Sequence, residues 1–351
     1  MKAAVLFELN KPLRVIDIEQ MPELRPGQVQ VRMIYSGVCH SQLMEARGGR
    51  GADPYLPHLL GHEGVGIVEK VGPAVEKVAP GDRVVLGWIR GHGSEAPGGL
   101  YQYQDQTINS GGVTTFSELT IVAENRLVKL PEGIPARLAV LLGCALPTGA
   151  GLVFNELNPE PRKRVAIFGL GGIGLSALLA MRLFEPEMLI AVDVEPEKLA
   201  LARELGASHT INASQEDPVA AITELTGRGV DYSLEAGGSV TTVEQAFESV
   251  RDRGGLCIFA SHPPEPDRIR LDPIKMHRGK MIRGSWGGGA NPDKDIPRLV
   301  DLYKSKQLPL DKLISHTYPL GEINQALADL EQRKIVRALI EIAPELDVGS
   351  R

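Results

Sequence analysis

Two thiols and an imidazole give this chain the means to hold a transition-metal ion. Cys39 lies in Gly37-Val38-Cys39-His40-Ser41, and His62 in Gly61-His62-Glu63-Gly64-Val65-Gly66. Cys144 lies in Leu142-Gly143-Cys144-Ala145-Leu146-Pro147-Thr148-Gly149. A catalytic zinc takes soft thiolate or imidazole ligands and keeps one position open for substrate. Separations of 23 and 82 residues carry no local spacing signal. Taken singly, each residue therefore also reads as a buried cysteine or an ordinary histidine.

Phosphate chemistry has a sharper local signature. Gly169-Leu170-Gly171-Gly172-Ile173-Gly174 fits the pattern G-x-G-x-x-G. Its first glycine permits a tight turn, its second lets a pyrophosphate approach the backbone, and its third allows a helix to pack on a strand. The helix N-terminus then faces the negative charge. With 39 glycines in the chain a bare match means little. Context strengthens it: an apolar run precedes the motif, a helical pattern follows, and Asp193 ends the next strand 19 residues after Gly174. Such an acid binds adenosine ribose hydroxyls and repels a 2′-phosphate, so NAD(H) is expected over NADP(H). Val194 and Glu195, just after it, are not basic.

The elements that must position these groups follow two rhythms. The first hundred residues hold short β-type runs broken by Pro and Gly, at 29–34, 64–71 and 82–86, as in a mostly antiparallel, barrel-like domain. From about residue 146, strands predicted at 165–168, 188–193, 210–211, 230–235, 256–260 and 281–285 alternate with helices at 173–184, 196–205, 218–225 and 243–250. That alternation predicts a parallel sheet wound by right-handed crossovers. A helix near 296–305 and a strand near 336–342 leave the rhythm, and residues 345–351 read as a frayed tail. The expected architecture is α/β: a Rossmann doubly wound sheet, residues 146–286, inserted into a barrel-like domain built from 1–145 and 287–351.

Composition narrows the class. The chain has 351 residues, a net charge of −6 and no basic block, which argues against nucleic-acid binding. Three cysteines are too few for a disulfide framework and fit a reducing cytoplasm, with Cys257 reading as a packed apolar residue. Two uncharged stretches, 138–154 and 165–181, reach 17 residues, short of the ~20 needed to span a bilayer, so no membrane segment is expected.

The segments GVCHS, GHEGVGIVEKVG, GDRVV, LLGCALPTG and GLGGIG occur in the order found in zinc-dependent medium-chain alcohol dehydrogenases. The ending DKLISHTYPLGEINQALADLEQRKIVRALIEI resembles theirs too. The likeness spans nearly the whole chain. It implies a GroES-like catalytic domain with Cys39, His62 and Cys144 as catalytic zinc ligands. It also implies Glu63 as a carboxylate able to coordinate the metal transiently, and Ser41 as the hydroxyl that takes the substrate proton. By the same resemblance His40, Thr148, Lys198 and Arg337 lie on the cofactor, with Arg337 at its pyrophosphate and Lys198 at the adenosine ribose. Gly169, Gly171, Gly172, Ile173, Gly174 and Asp193 complete that site, and Trp88 lines the substrate pocket. The implied reaction moves a hydride between an alcohol, or the matching aldehyde or ketone, and NAD(H). A homodimer or homotetramer, paired through the sheet edge near 256–285, is also implied.

The chain departs from the family in three places. Relatives often carry four cysteines around a structural zinc, whereas residues 88–116 have none, so one zinc per subunit is expected and His92 is not a ligand. Gln42 stands where an Asp usually orients the zinc-bound histidine, and its amide is expected to accept from the imidazole. Met44 stands where relatives place a proton-passing histidine. Tyr101, Gln102, Tyr103 and Asn109 are candidates for polar substrate contacts, and Arg47 and Arg50 for attraction of an acidic substrate. Two rival readings are a zinc-free enoyl or quinone reductase of the same superfamily and a non-enzymatic NAD-binding protein.

Overall fold

The alternation Gln28-Val29-Gln30-Val31-Arg32-Met33 is what a strand with two unlike faces requires. In the computed structural model, which describes residues 1–20, 23–264 and 266–347, this run lies at the centre of a strand-rich unit. That unit comprises Met1–Cys144 and Asn291–Arg351. Its strands include Lys2–Leu6 (β1), Gln28–Val38 (β2), His58–Leu59 (β3), Gly64–Val71 (β4) and Arg83–Leu86 (β5). Tyr101–Tyr103 (β6), Gln106–Ile108 (β7), Leu119–Ala123 (β8) and Leu127–Lys129 (β9) follow.

β2 is long enough to serve three partners. One edge pairs antiparallel with β4, and the register shifts twice along the ladder. The other edge pairs with β8 near its start and with Ala338–Glu341 near its end. Residues far apart in sequence therefore close one sheet. Val29, Val31 and Met33 face Val68, Val84 and Leu86 in a shared apolar core. Among the described strand pairs of this unit only His316–Pro319 with Ala338–Glu341 is parallel.

The second unit, Ala145–Ala290, carries the predicted βα rhythm. Its strands are Arg164–Phe168 (β10), Met188–Asp193 (β11), His209–Asn212 (β12), Tyr232–Glu235 (β13), Leu256–Phe259 (β14) and Met281–Gly284 (β15). They run parallel in the order β12-β11-β10-β13-β14-β15. This is the dinucleotide-fold order, which places a crevice where the order reverses, between β10 and β13. The uncharged stretch 165–181 resolves into β10, a turn and the helix Gly172–Met181 (α3). Cys257 is buried beside Ala166, Ile190 and Phe247, as an apolar residue would be. Among the described residues no single helix is long and apolar enough to cross a bilayer.

Several expectations change on contact with the fold. Residues 287–289 belong with the second unit, because the Gly288 carbonyl packs against Gly151 of the helix Ala145–Gly151 (α2) and accepts from Asn155 at 3.4 Å. The units therefore divide after Cys144 and after Ala290, rather than after 145 and 286. α2 itself and the helix Ile323–Glu331 went unpredicted, since Gly and Pro dilute the first pattern and the second lies in a polar tail. The supposed frayed end is docked as far as Asp347: Pro344–Leu346 forms a helical turn and Asp347 pairs with Arg83. Residues 348–351 lie outside the described residues.

The cysteine-free stretch 88–116 contains a hairpin, β6 with β7, that joins the apolar cluster of Ala3, Val5, Ile18 and Leu59. Its polar residues are occupied in holding it. The Tyr101 ring is fully buried and its hydroxyl accepts from the Ile121 N–H at 3.0 Å. Burial pushes the Tyr101 phenol up to about 12. Asn109 donates to the Tyr55 carbonyl at 2.8 Å, Gln102 to the Gln104 carbonyl at 2.8 Å, and Tyr103 packs edge-on against Phe7. The expectation of a substrate contact is corrected for Tyr101, whose ring and hydroxyl are committed inside the core. Tyr101→Phe keeps the ring and strands the Ile121 N–H, so urea unfolding should show a loss of about 1–3 kcal/mol. A change under half a kcal/mol would show that the hydroxyl contributes nothing there.

Candidate metal and cofactor sites

β2 ends at Val38, Cys39 follows in an extended conformation, and His40–Ala46 (α1) begins at once. The Cys39 side chain therefore projects from the seam between strand and helix. His62 sits two residues before β4, and Cys144 ends the helical segment after β9. These three elements bring the two sulfurs and an imidazole nitrogen within 4.8 Å of one another. His62 Nε2 lies 3.2 Å from Cys144 Sγ. The three residues the sequence could not link by spacing thus converge inside the first unit.

The electrostatics suit a cation. The hydrogen bond from Cys144 is the main cause holding the Cys39 thiol well below its ordinary value, with His62 adding to it against burial. Cys144 is correspondingly held well above, first by that same hydrogen bond and then by burial. The opposite shifts favour a proton on Cys144 over one on Cys39, and a bound divalent ion would favour both thiolates. Burial presses the His62 imidazole down, yet its hydrogen bond to Cys39 and the thiolate charge raise it on balance.

Glu63 lies behind these ligands, fully buried and paired with buried Arg337. Desolvation raises its carboxyl despite that guanidinium. One oxygen meets Arg337, while Oε2 has no hydrogen-bond partner. Gly37 makes the room, since a side chain there would collide with the carboxylate. Two sulfurs and an imidazole within 4.8 Å of one another are a donor set a zinc ion satisfies, and the residue after His62 adds a buried carboxylate oxygen that has no donor. In this structure the Arg337 side chain is engaged with Glu63, a partner the sequence did not suggest.

Gln42 corrects a second expectation. Its Oε1 accepts from the Cys39 N–H at 2.9 Å, which turns Nε2 toward His62 Nδ1. The amide donates to the ring instead of accepting from it. An imidazole that binds metal through Nε2 carries its proton on Nδ1 and needs an acceptor there. The Ser41 hydroxyl, 3.3 Å from Nδ1 and 3.3 Å from Gln42 Nε2, is a nearby group able to accept. His40, by contrast, is exposed on the first turn of α1, and Met44 is half-buried. Trp88 is half-buried and its carbonyl accepts from Arg126. Arg47 is not free to attract a substrate, because Glu331 binds it at 2.6 Å. Arg50 lies 3.7 Å from Glu45.

The glycine motif joins β10 to α3 in the second unit. Gly169 has φ +84° and abuts Gly237, a turn only glycine adopts without strain. A side chain at Gly174 would strike the Gly169 carbonyl, whereas one at Gly171 would meet nothing within 4 Å. The second glycine therefore borders open space, at the start of a helix whose first N–H groups, from Gly172 and Ile173, need an acceptor. Asp193 closes the turn: its carboxylate accepts from Leu170 at 2.6 Å, Val194 at 2.8 Å and Glu195 at 3.0 Å. Lys198 is half-buried in the first turn of the next helix, Pro196–Glu204. Thr148 on α2 is buried with its hydroxyl unpartnered. These features fit a dinucleotide.

Gln42→Asp supplies two accepting oxygens, one for the Cys39 N–H and one for a protonated Nδ1. Competition against a chelator should show zinc held about tenfold or more tighter, and an unchanged affinity would mean that Ser41 already meets the need.

Known proteins place these sites in a family. The alcohol dehydrogenase GroES-like domain matches residues 25–132, and the zinc-binding dehydrogenase domain matches residues 172–305. Alcohol dehydrogenase 2 of Zea mays is 32% identical, with 97% of each chain covered. An alcohol dehydrogenase zinc-binding domain protein from Burkholderia ambifaria superposes with a TM-score of 0.88 at 31% identity, covering 97% of this chain and 98% of its own. Benzyl alcohol dehydrogenase from Acinetobacter calcoaceticus gives 0.87 at 31% identity, covering 97% and 99%. With thiolate and imidazole ligands gathered in a GroES-like unit and a glycine cradle on a parallel sheet, the chain belongs to the zinc-dependent medium-chain alcohol dehydrogenase family.

Proposed function

We propose that Cys39, His62 and Cys144 hold one zinc ion at which an alcohol is oxidised, or its aldehyde or ketone reduced, with NAD(H) as partner. The carrying observation is the convergence of their three donor atoms within 4.8 Å from positions far apart in the chain. Bound zinc would supply Lewis acidity toward the substrate oxygen, and bound NAD(H) the hydride chemistry. Residues 88–116 contain no thiolate, so no structural zinc is assigned to them.

The chain's own groups have separable tasks. Ser41 takes the proton from the substrate hydroxyl, its oxygen already in hydrogen-bond range of the His62 ring at 3.3 Å. Glu63, with one oxygen unpartnered, is the carboxylate available to the metal, and Arg337 keeps it charged or releases it. Residues 146–286 hold the cofactor: Gly169, Gly171, Gly172, Ile173 and Gly174 cradle its pyrophosphate, and Asp193 and Lys198 meet the adenosine ribose. Thr148 completes that site, and the likeness to the family assigns His40 and Arg337 to the cofactor as well. Trp88 forms part of the substrate wall, which favours alcohols with an apolar substituent.

The exposed Met281 on β15, with Ile274, Met276 and Trp286 nearby in sequence, supports pairing of that sheet edge in a homo-oligomer. The free thiols support a reducing, cytoplasmic setting.

A panel of alcohols and aldehydes followed by NADH absorbance, with zinc and molar mass measured on the same sample, tests this reading. Cys39→Ser should remove one zinc ion and lower turnover by at least about a thousandfold, while NADH affinity stays within about twofold. Wild-type turnover in that variant would refute the metal's role. Asp193→Ala should cut the preference for NADH over NADPH by about tenfold, some 1.4 kcal/mol. An intact preference would move the ribose contact elsewhere.

A further inference from the structure

A second set of metal-binding side chains lies apart from the thiolates. Glu45, Asp53 and His58 each offer one donor atom, and these atoms lie within 4.8 Å of one another. Glu45 stands in the last turn of α1, Asp53 in the following loop, and His58 on β3. The backbone around His58 is held on two sides. β3 pairs with β1 through Leu6, and Leu59 N–H donates to the Asn109 carbonyl at 2.9 Å while Asn109 N–H donates to the Pro57 carbonyl at 2.9 Å. His58 is only 5% exposed.

The hydrogen bonds around the ring define what it needs. His58 Nδ1 lies 2.8 Å from the Leu59 carbonyl oxygen, which can only accept, so Nδ1 carries a proton. In the neutral imidazole Nε2 is then a bare lone pair. It is aimed at Asp53 Oδ2, 2.8 Å away, with Glu45 Oε1 at 3.9 Å. Asp53 cannot turn aside freely, because its Oδ1 accepts from the Tyr55 N–H at 2.9 Å. Arg50, 3.7 Å from Glu45 Oε2, offsets part of one charge, but three acceptors converging on one small space still repel one another unless positive charge lies among them. A second proton on the buried ring is one solution. A divalent ion is the other: ligands about 2.0 Å from a tetrahedral zinc lie about 3.3 Å apart, which a small side-chain rotation from the present 2.8 Å would reach.

We propose that Glu45, Asp53 and His58 form a second divalent-cation site, with zinc the preferred ion. One imidazole and two carboxylates match its ligand preferences, and waters complete the shell. The ion would clamp the loop 47–57 between α1 and β3. That clamp has a consequence for the thiolate site: α1 begins next to Cys39, and β3 leads within three residues to His62. An ion joining Glu45 to His58 therefore braces the two segments that deliver those ligands, and raises the metal count above the single ion the sequence implied.

The test strips the full-length protein with chelator, dialyses it against zinc, and reads zinc by mass spectrometry alongside thermal melts. Wild type should hold two ions per chain, His58→Gln one, Cys39→Ser one, and the double variant none. Zinc should raise the melting temperature of Cys39→Ser by about 3 °C or more. Glu45→Gln, on the solvent side of the site, should weaken the second ion about tenfold and keeps the test valid if His58→Gln fails to fold. A wild type with one ion that is lost in Cys39→Ser, or a Cys39→Ser melt unmoved by zinc, overturns the proposal in favour of a protonated His58 paired with Asp53. Failure of the thiolate reading would look different: His58→Gln would then bind no zinc at all.

Discussion

The buried ion pair between Glu63 and Arg337 is the contact on which the first unit depends. Arg337 immediately precedes the strand Ala338–Glu341, which returns from the far end of the chain to pair with β2. Glu63 immediately follows His62 and precedes β4, on the other edge of β2. Two charges withdrawn from water are tolerated only while each has the other, so breaking the pair is expected to cost about 3–5 kcal/mol. The cost of burial is what makes the contact specific. It sets the C-terminal strand against the segment that carries His62 and leaves Glu63 Oε2 buried without a donor of its own.

Around this pair the site is built from groups that compete for few acceptors. The Cys39 and Cys144 thiols are hydrogen-bonded to one another, and Gln42 has a single oxygen for which the Cys39 N–H and a protonated His62 Nδ1 would be rivals. Where the oxygen has gone to Cys39, the amide nitrogen is left facing His62, and Ser41 becomes the neighbour that can rebalance the ring. The same residue that is suited to carry a substrate proton is thus coupled to the protonation of a ligand. In the second unit the competition is absent: Asp193 satisfies three backbone N–H groups, and the glycine turn stands ready-made.

Legibility in the sequence followed locality. The turn at Gly169–Gly174, the strands β4 and β11, and the βα rhythm were readable, because hydrophobic period and glycine spacing report neighbours along the chain. Tyr101 was misread as a polar contact, since a lone sequence does not reveal that Ala3, Val5, Ile18 and Leu59 gather over it. α2 escaped detection because Pro147, Gly149 and Gly151 weaken every local helix signal, and tertiary packing against α3 overrides them. Glu45, Asp53 and His58 carried no motif, their spacing being that of an unremarkable loop.

By itself the sequence determined the fold class, the dinucleotide turn with its acid, and, through its likeness to a known family, the candidate zinc ligands. Only the tertiary structure decided which donor meets which acceptor: Arg337 on Glu63, the amide end of Gln42 on His62, and the carboxylates gathered at His58. The reason is physical. Periodicity and turn chemistry act between residues a few positions apart, whereas a buried charge or hydrogen bond is settled by whichever group the packing of distant strands leaves within 3 Å.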